Sequence, residues 1–156
     1  MNRRAQITMS DAELRAFLAE EDLVTCATLG PNGRPHLQPL SYVLDPAESR
    51  PVIMVWTFAK SQKVRNLERL PQATVQVEAG TAYGELRGAM MECDVEIVRD
   101  VDAVVAIAMA VAGRDGSAPT AERRAHIAAQ APKRVGLRFH PTRVVSFDHR
   151  KLGGGY

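Results

Sequence analysis

The stretch Trp56-Thr57-Phe58-Ala59-Lys60-Ser61-Gln62-Lys63-Val64-Arg65-Asn66-Leu67 concentrates the residues best suited to binding chemistry. A β-like run ends there, Ser61 stands where a helix begins, and two lysines and an arginine crowd the junction. Free backbone N–H groups at a helix start carry partial positive charge and point outward, which favours an anion. Lys60 and Lys63 would add full charges, and the hydroxyls of Thr57 and Ser61 would add hydrogen bonds. Together these groups suit a phosphate monoester or diester. The same residue types also describe a solvated basic helix with Ser61 as an ordinary N-cap, and residue types alone leave both readings open.

Other polar residues offer less. Arg87 is the better candidate among them and could reach a cofactor phosphate or an acidic substrate group, although a cross-strand ion pair is the more ordinary role for it. His149, between Asp148 and Arg150, could donate a proton to a reduced product, yet such a triplet near a C-terminus reads first as exposed surface. His36 and His140 adjoin prolines in strands and read as structural or solvent-facing; His126 lies on a surface-like helix. Trp56 reads as core, while Tyr42 fits either core or a stacking role. Glu92, Asp94 and Glu96 alternate with apolar residues as on a half-exposed strand, and no His joins them, so no metal site is expected. Cys26 and Cys93 sit in strand-like runs without a C-x-x-C pair and read as buried, reduced thiols. No G-x-G-x-x-G or G-x-x-x-x-G-K occurs, which argues against a dinucleotide or nucleoside triphosphate in the usual loop.

The elements that must hold these residues are legible in outline. Ser10 and Glu13 form a capping box ahead of a short amphipathic helix over 11–21. Leu23 to Leu29 reads as a strand, turned at Gly30-Pro31-Asn32-Gly33, where Asn-Gly supplies positive φ, and His36 to Leu44 returns as its hairpin partner. Val52 to Phe58 is a third strand, residues 61–70 a helix, Ala73 to Glu78 a fourth strand, and Glu85 to Val98 a fifth, with a bulge or bend expected at Gly88. Asp100 caps a helix over Val101 to Ala112, ended by Gly113. After the linker-like Arg114 to Thr120, a helix covers Ala121 to Ala131 and a last strand Val135 to Phe147, with a possible break at Pro141. Six mostly antiparallel strands with a few short helices predict one mainly β (α+β) barrel domain over 1–156 and disfavour a doubly wound parallel sheet.

Composition narrows the function classes. Of 156 residues 46% are hydrophobic, and 20 basic against 18 acidic residues leave a formal charge of +2, without the dense basic face of a nucleic-acid binder. The charged N-terminus lacks the apolar core of a secretory signal, and the longest apolar run, Ala103 to Ala112, is too short to span a bilayer. A cytoplasmic protein with no membrane partner is expected.

The order of these segments resembles the pyridoxamine 5′-phosphate oxidase-like, FMN-binding split-barrel family. The likeness rests on the Trp56–Leu67 segment, the opening helix, Leu23–Leu29 with its Gly-Pro-Asn-Gly turn, and Arg34-Pro35-His36-Leu37-Gln38-Pro39-Leu40. It also rests on Glu85-Leu86-Arg87-Gly88 and the closing Val144-Val145-Ser146-Phe147-Asp148-His149-Arg150-Lys151-Leu152-Gly153-Gly154. Within that family the chain is most similar to the actinobacterial branch that uses the deazaflavin coenzyme F420 and includes biliverdin-reductase-like members.

The resemblance implies a homodimer with two cofactors in grooves between subunits. It implies that Thr57, Lys60, Ser61 and Lys63 hold the phosphate with Arg65 and Asn66 nearby, and that Pro39, Leu40 and Ser41 line the edge of the tricyclic ring. Flavins and deazaflavins carry the redox chemistry themselves, so no catalytic side chain is expected. The implied activity is F420-dependent hydride transfer to an electron-poor conjugated small molecule; FMN-dependent oxidoreduction, or non-catalytic flavin or haem binding, are the alternatives. The Gly-Gly-Gly-Tyr tail lacks the arginine-rich substrate signature of true pyridoxamine-phosphate oxidases, which argues against vitamin B6 oxidation.

Overall fold

A computed structural model describes residues 2–153; the tail over 154–156, Gly154 included, lies outside the described residues. Seven strands form one curled antiparallel sheet: β1 (Leu23–Leu29), β2 (Pro35–Ser41), β3 (Val43–Leu44), β4 (Ile53–Phe58), β5 (Gln72–Ala79), β6 (Arg87–Val98) and β7 (Arg134–Asp148). Their order is β2-β1-β5-β6-β7-β4-β3. The expected six strands become seven because the run His36–Leu44 changes partner part-way. Its first half pairs with β1 (Leu29↔Pro35 through Leu23↔Ser41), whereas Val43 and Leu44 pair with Met54 and Ile53 of β4. Between the halves lies Tyr42, buried, its hydroxyl donating to the Leu18 carbonyl at 2.5 Å. The two ends of the sheet are thus joined by one chain segment, which curls the sheet into a half barrel with a split beyond Tyr42.

Five helices complete the chain: α1 (Arg3–Ile7), α2 (Asp11–Glu20), α3 (Gln62–Arg69), α4 (Val101–Ala112) and α5 (Ala121–Gln130). The Ser10–Glu13 capping box is present in both directions. The short α1, where the sequence showed only a charged N-terminus, is capped by Asn2. Leu14, Phe17 and Leu18 of α2 and Val64 and Leu67 of α3 close the barrel core over Val24, Cys26, Val55, Val75, Met91, Leu137 and Phe139. The alanine-rich α4 packs on the outer face of β4 and β7 of its own chain, where Gly136 leaves room for Ile107.

Three local expectations change. In the β1–β2 hairpin only Gly33 takes positive φ (77°), because the turn spans five residues and closes through the Gly30 N–H to the Arg34 carbonyl. Pro141 does not break β7. Glu92 pairs with Arg143 and Cys93 with Pro141, so Thr142 is an extra residue at a bulge, and its hydroxyl donates to the Glu92 carbonyl at 3.1 Å. That irregular pairing accommodates a residue without an N–H. Gly88 is not the bulge: it pairs regularly with Glu78 and Phe147, and a Cβ there would lie 2.6 Å from the Phe147 ring. Close approach explains the glycine. Gly88→Val is therefore expected to destabilise by about 1–3 kcal/mol through overpacking, measurable by urea denaturation.

Candidate functional site

β4 and β1 diverge at the split, and α3 lies across it. The helix follows β4 after three residues, Ala59 to Ser61, tied to the residue just before β7 by the Ala59 N–H, which donates to the Lys133 carbonyl at 3.0 Å. With apolar residues at Val64 and Leu67 turned inward, the same face carries Lys63 and Asn66, both buried. Lys63 Nζ donates to Thr57 Oγ1 of β4 at 2.9 Å, and Asn66 Nδ2 donates to Thr28 Oγ1 of β1 at 3.0 Å. One helix turn thereby staples both edges of the split. Asn66 Oδ1 accepts from Gln62 Nε2 at 2.9 Å, so both ends of its amide are used within the chain and it positions the helix.

Lys63 retains unspent donors beyond its one bond to Thr57. Burial pulls its pKa below 10.5; Cys26 opposes that shift and Arg134 reinforces it. Ser61 stands at the N-cap, but its hydroxyl makes no capping bond, and its buried Oγ has no hydrogen-bond partner. An ordinary N-cap serine would bond the N–H two or three residues on. Here the first N–H groups of α3, the orphaned hydroxyl and the Lys63 ammonium are all left for something else, and their polarity suits an anion. The solvated-helix reading fails for Lys63 and fits Lys60 and Arg65, which are exposed.

β2 supplies the adjoining wall. Its residues opposite Val24, Cys26 and Thr28 are Leu40, Gln38 and His36, on the inner face toward α3; Pro39 and Ser41 oppose Thr25 and Leu23 and present their side chains to the outer face. Period-two alternation thus separates Leu40 from its two neighbours. His36 is half-buried and its Nδ1 has no partner.

Arg87 is not brought to this corner. It sits at the far end of β7 from Thr57, opposite Asp148, and bonds Glu20 at 2.9 Å and Glu21 at 3.6 Å over the Phe17 ring. Its carboxylates come from α2 and the residue after it, not from the neighbouring strand. His149 packs against Tyr83 and Phe147, with Nδ1 2.9 Å from the Tyr83 carbonyl; Asp148 is gripped by Arg150, whose bonds hold its carboxyl below the usual carboxylate range. Trp56 is half-buried on the outer face of β4 and carries the Arg134 guanidinium 4.3 Å from its ring centroid.

Thr28 of the corner escaped sequence reading, as did Arg134 on the outer face beside Trp56. Thr28 is one of several strand threonines, and only the crossing of α3 distinguishes it. Arg134 opens a strand in a basic stretch, and its neighbours emerge only from the β4–β7 register.

Burial pushes both thiols up to about 12. The native protein is expected to leave Cys26 and Cys93 unlabelled by a thiol reagent at pH 8, and both to react after denaturation; mass spectrometry reads the outcome.

A cleft of about 390 Å³ lies elsewhere, on the outer face, among Ala27, Leu29, Pro35, Gln72, Thr74, Glu92, Asp94 and Thr142. With Glu92 and Asp94 in its lining and no lysine or arginine, it is a poor host for an anion. Among the described residues no three His, Cys, Asp or Glu side chains group as a metal site, and no helix is long and apolar enough to cross a membrane.

Residues 10–147 match the family model for pyridoxamine 5′-phosphate oxidase. The chain belongs to that family. Among solved structures of this split-barrel fold, a conserved hypothetical protein, Rv2991 from Mycobacterium tuberculosis, is 37% identical. The match covers 98% of this chain and 93% of that one, with a TM-score of 0.88. The haem storage protein HutZ from Vibrio cholerae is 18% identical over 88% and 96% of the two chains (TM-score 0.67), and an F420 reductase 20% identical over 83% and 94% (TM-score 0.59). At those identities the likeness is one of fold. No curated protein matches the chain. Family membership places the Lys63 corner in a fold whose members include oxidoreductases and flavin-binding proteins.

Proposed function

We propose that the protein is a deazaflavin-dependent oxidoreductase, using F420 to reduce an electron-poor conjugated small molecule. The observation that carries this reading is the corner at which Lys63, buried and bonded to Thr57, meets the unpartnered hydroxyl of Ser61. An ionised phosphoester fits there: it accepts hydrogen bonds, and Lys63, the Ser61 hydroxyl and the first N–H groups of α3 can donate them. When bound, a reduced deazaflavin supplies a hydride. The chain's own residues bind and orient. Lys63, Ser61 and the first N–H groups of α3 anchor the phosphoester, with the exposed Lys60 and Arg65 adding longer-range attraction for an acidic tail. Leu40, Gln38 and His36 form the wall along which a ring would lie, and Thr57 and Asn66 keep α3 in place.

A second copy of the chain completes the groove in this reading. Leu23, Leu29 and Leu37 are 58%, 42% and 63% exposed along the β1–β2 edge, an apolar strip that a homodimer would cover. Light scattering is expected to give twice 17.1 kDa. FMN is the alternative occupant, because its phosphate monoester suits the same donors.

The deciding experiment titrates purified protein with F420, FMN and haem, then follows reoxidation of reduced F420 in the presence of a conjugated acceptor. Tight F420 binding with turnover supports the proposal. Preference for FMN moves it to the flavin alternative, and binding of haem alone, or of nothing, overturns it.

A further inference from the structure

The anion donors of the corner all ride on α3, so whatever fixes α3 decides where they point. The helix has eight residues, too few to hold itself in water. Val64 and Leu67 sink it into the barrel core, but apolar contact is non-directional and leaves the helix free to rotate or slide. Hydrogen bonds settle both, because they act only over a narrow range of distance and angle. Side chains of α3 tie it to the sheet through Lys63 and Thr57, Asn66 and Thr28, Glu68 and Arg99, and Arg69 and the Leu29 carbonyl.

These ties are not equal. Glu68 and Arg69 are exposed, and water competes for their bonds. The Lys63 tie is made by the same ammonium that must meet the anion. Among the described residues that leaves Asn66–Thr28 as the buried tie with no second duty. Thr28 is 2% and Asn66 1% exposed, so water cannot replace a lost partner there. The bond also reaches the front of the helix: Asn66 Oδ1 accepts from Nε2 of Gln62, the first helical residue, which follows Ser61. Two hydrogen bonds in series thus run from β1, on one side of the split, to the turn of α3 that bonds β4 on the other.

We infer that Thr28 is a positioning residue for the cofactor anchor. Acting through Asn66, it sets the first turn of α3 so that Ser61, Lys63 and the helix N–H groups converge on one phosphate. This rests on the proposed reading of the corner, and it adds a residue from the opposite edge of the split. Several donors that grip one anion together must be held to within about 0.5 Å of their working geometry. Thr28→Val keeps the shape and deletes the acceptor. Asn66 Nδ2 is then buried without a partner, and the amide must turn, and α3 shift with it, to find one. Thr28→Ser keeps the hydroxyl.

The test separates phosphate recognition from ring recognition. Affinities are measured in matched pairs, FMN against riboflavin and F420 against the deazaflavin riboside lacking the phosphodiester tail. Wild type is expected to prefer the phosphorylated member of the pair it binds. In Thr28→Val that preference falls by about fivefold or more, the lower end of coupling between linked sites, while affinity for the phosphate-free member holds; Thr28→Ser restores the preference. A second readout needs neither ring nor variant. As inorganic phosphate is added to wild type, the NMR signals of the Asn66 side-chain amide shift and its protons exchange more slowly with water, in step with a rising melting temperature.

An undiminished preference in Thr28→Val overturns the inference. So does an equal loss for both members of a pair, or no recovery in Thr28→Ser, since either marks the bond as merely structural. If Thr28→Val does not fold, the phosphate titration decides: a raised melting temperature with an unmoved Asn66 amide overturns the inference. A wild type that binds a ring with no preference for its phosphate removes the anchor and the role of Thr28 together. If neither ring binds wild type but phosphate stabilises it and moves the Asn66 amide, the reductase reading fails and the positioning role of Thr28 stands. If neither ring binds and phosphate changes nothing, both fail.

Discussion

Lys63→Met is expected to weaken F420 or FMN binding by roughly 30- to 100-fold, equivalent to about 2–3 kcal/mol for lost charge-assisted hydrogen bonds, while leaving the fold nearly as stable. Lys63 is 7% exposed and makes one hydrogen bond, to Thr57. Its ammonium is kept from water, and burial lowers its pKa. Removing a desolvated cation recovers part of that cost, which offsets the lost bond, and methionine fills the space of the lysine stem. A binding titration beside a thermal melt reads both effects. Unchanged affinity would remove Lys63 from the site, and a collapsed fold would make it a structural staple.

The pH dependence has a definite sign. With a folded-state pKa below 10.5, the unfolded chain holds the Lys63 proton more tightly than the native protein does between those two values. Stability contributed through this group therefore rises as pH climbs through that window; the burial cost is full below the folded pKa and gone above 10.5. Anion affinity runs the other way, falling over the same window as the ammonium is lost. Lys63→Met should abolish both slopes.

Arg114→Ala is expected to cost about 3–4 kcal/mol of stability, on the scale of breaking a buried charge network. Arg114 follows the Gly113 cap of α4 and reaches back to the end of α2. It donates to the carbonyls of Leu18 at 2.7 Å and Ala19 at 3.1 Å, and to those of Glu21 and Tyr42. Its guanidinium lies 4.2 Å from the Tyr42 ring centroid and its Nε 3.3 Å from Asp22. The carbonyls of Leu18, Ala19 and Glu21 are acceptors at the C-terminus of α2, where positive charge is favoured. Tyr42 is the point at which the chain leaves β1 for β4, so the same mutation loosens the β2 wall of the site. Arg114→Lys should recover little, since an ammonium cannot fan donors to four carbonyls. Urea denaturation measures it; a loss under about 1 kcal/mol would show these contacts to be dispensable.

How far the molecule was legible beforehand differs by scale. Local pattern was enough for the capping box at Ser10, the Asp100 cap, both alternating strands around Val75 and Met91, and the helix beginning at Ser61, because each depends on residues a few positions apart. The strand over His36–Leu44 was legible as extended chain, but its change of partner at Tyr42 was not: a partner swap is decided by how far the sheet curls, which leaves no mark on the alternation. For the same reason Arg114 read as linker and Gly88 as a bulge. Each is explained by a group far along the chain, the α2 carbonyls in one case and the Phe147 ring in the other.

The candidate site divides in the same way. Residue types in the order Thr57, Lys60, Ser61, Lys63 marked an anion-binding strand-turn-helix, because helix geometry and charge act within one turn. Only the tertiary structure separated the buried Lys63 from the exposed Lys60, turned Asn66 into a staple on Thr28, and placed Leu40 on the face opposite Pro39 and Ser41. Burial and cross-strand register arise from contacts distant in sequence. They decide which of several like residues keeps a charge out of water and lacks a partner.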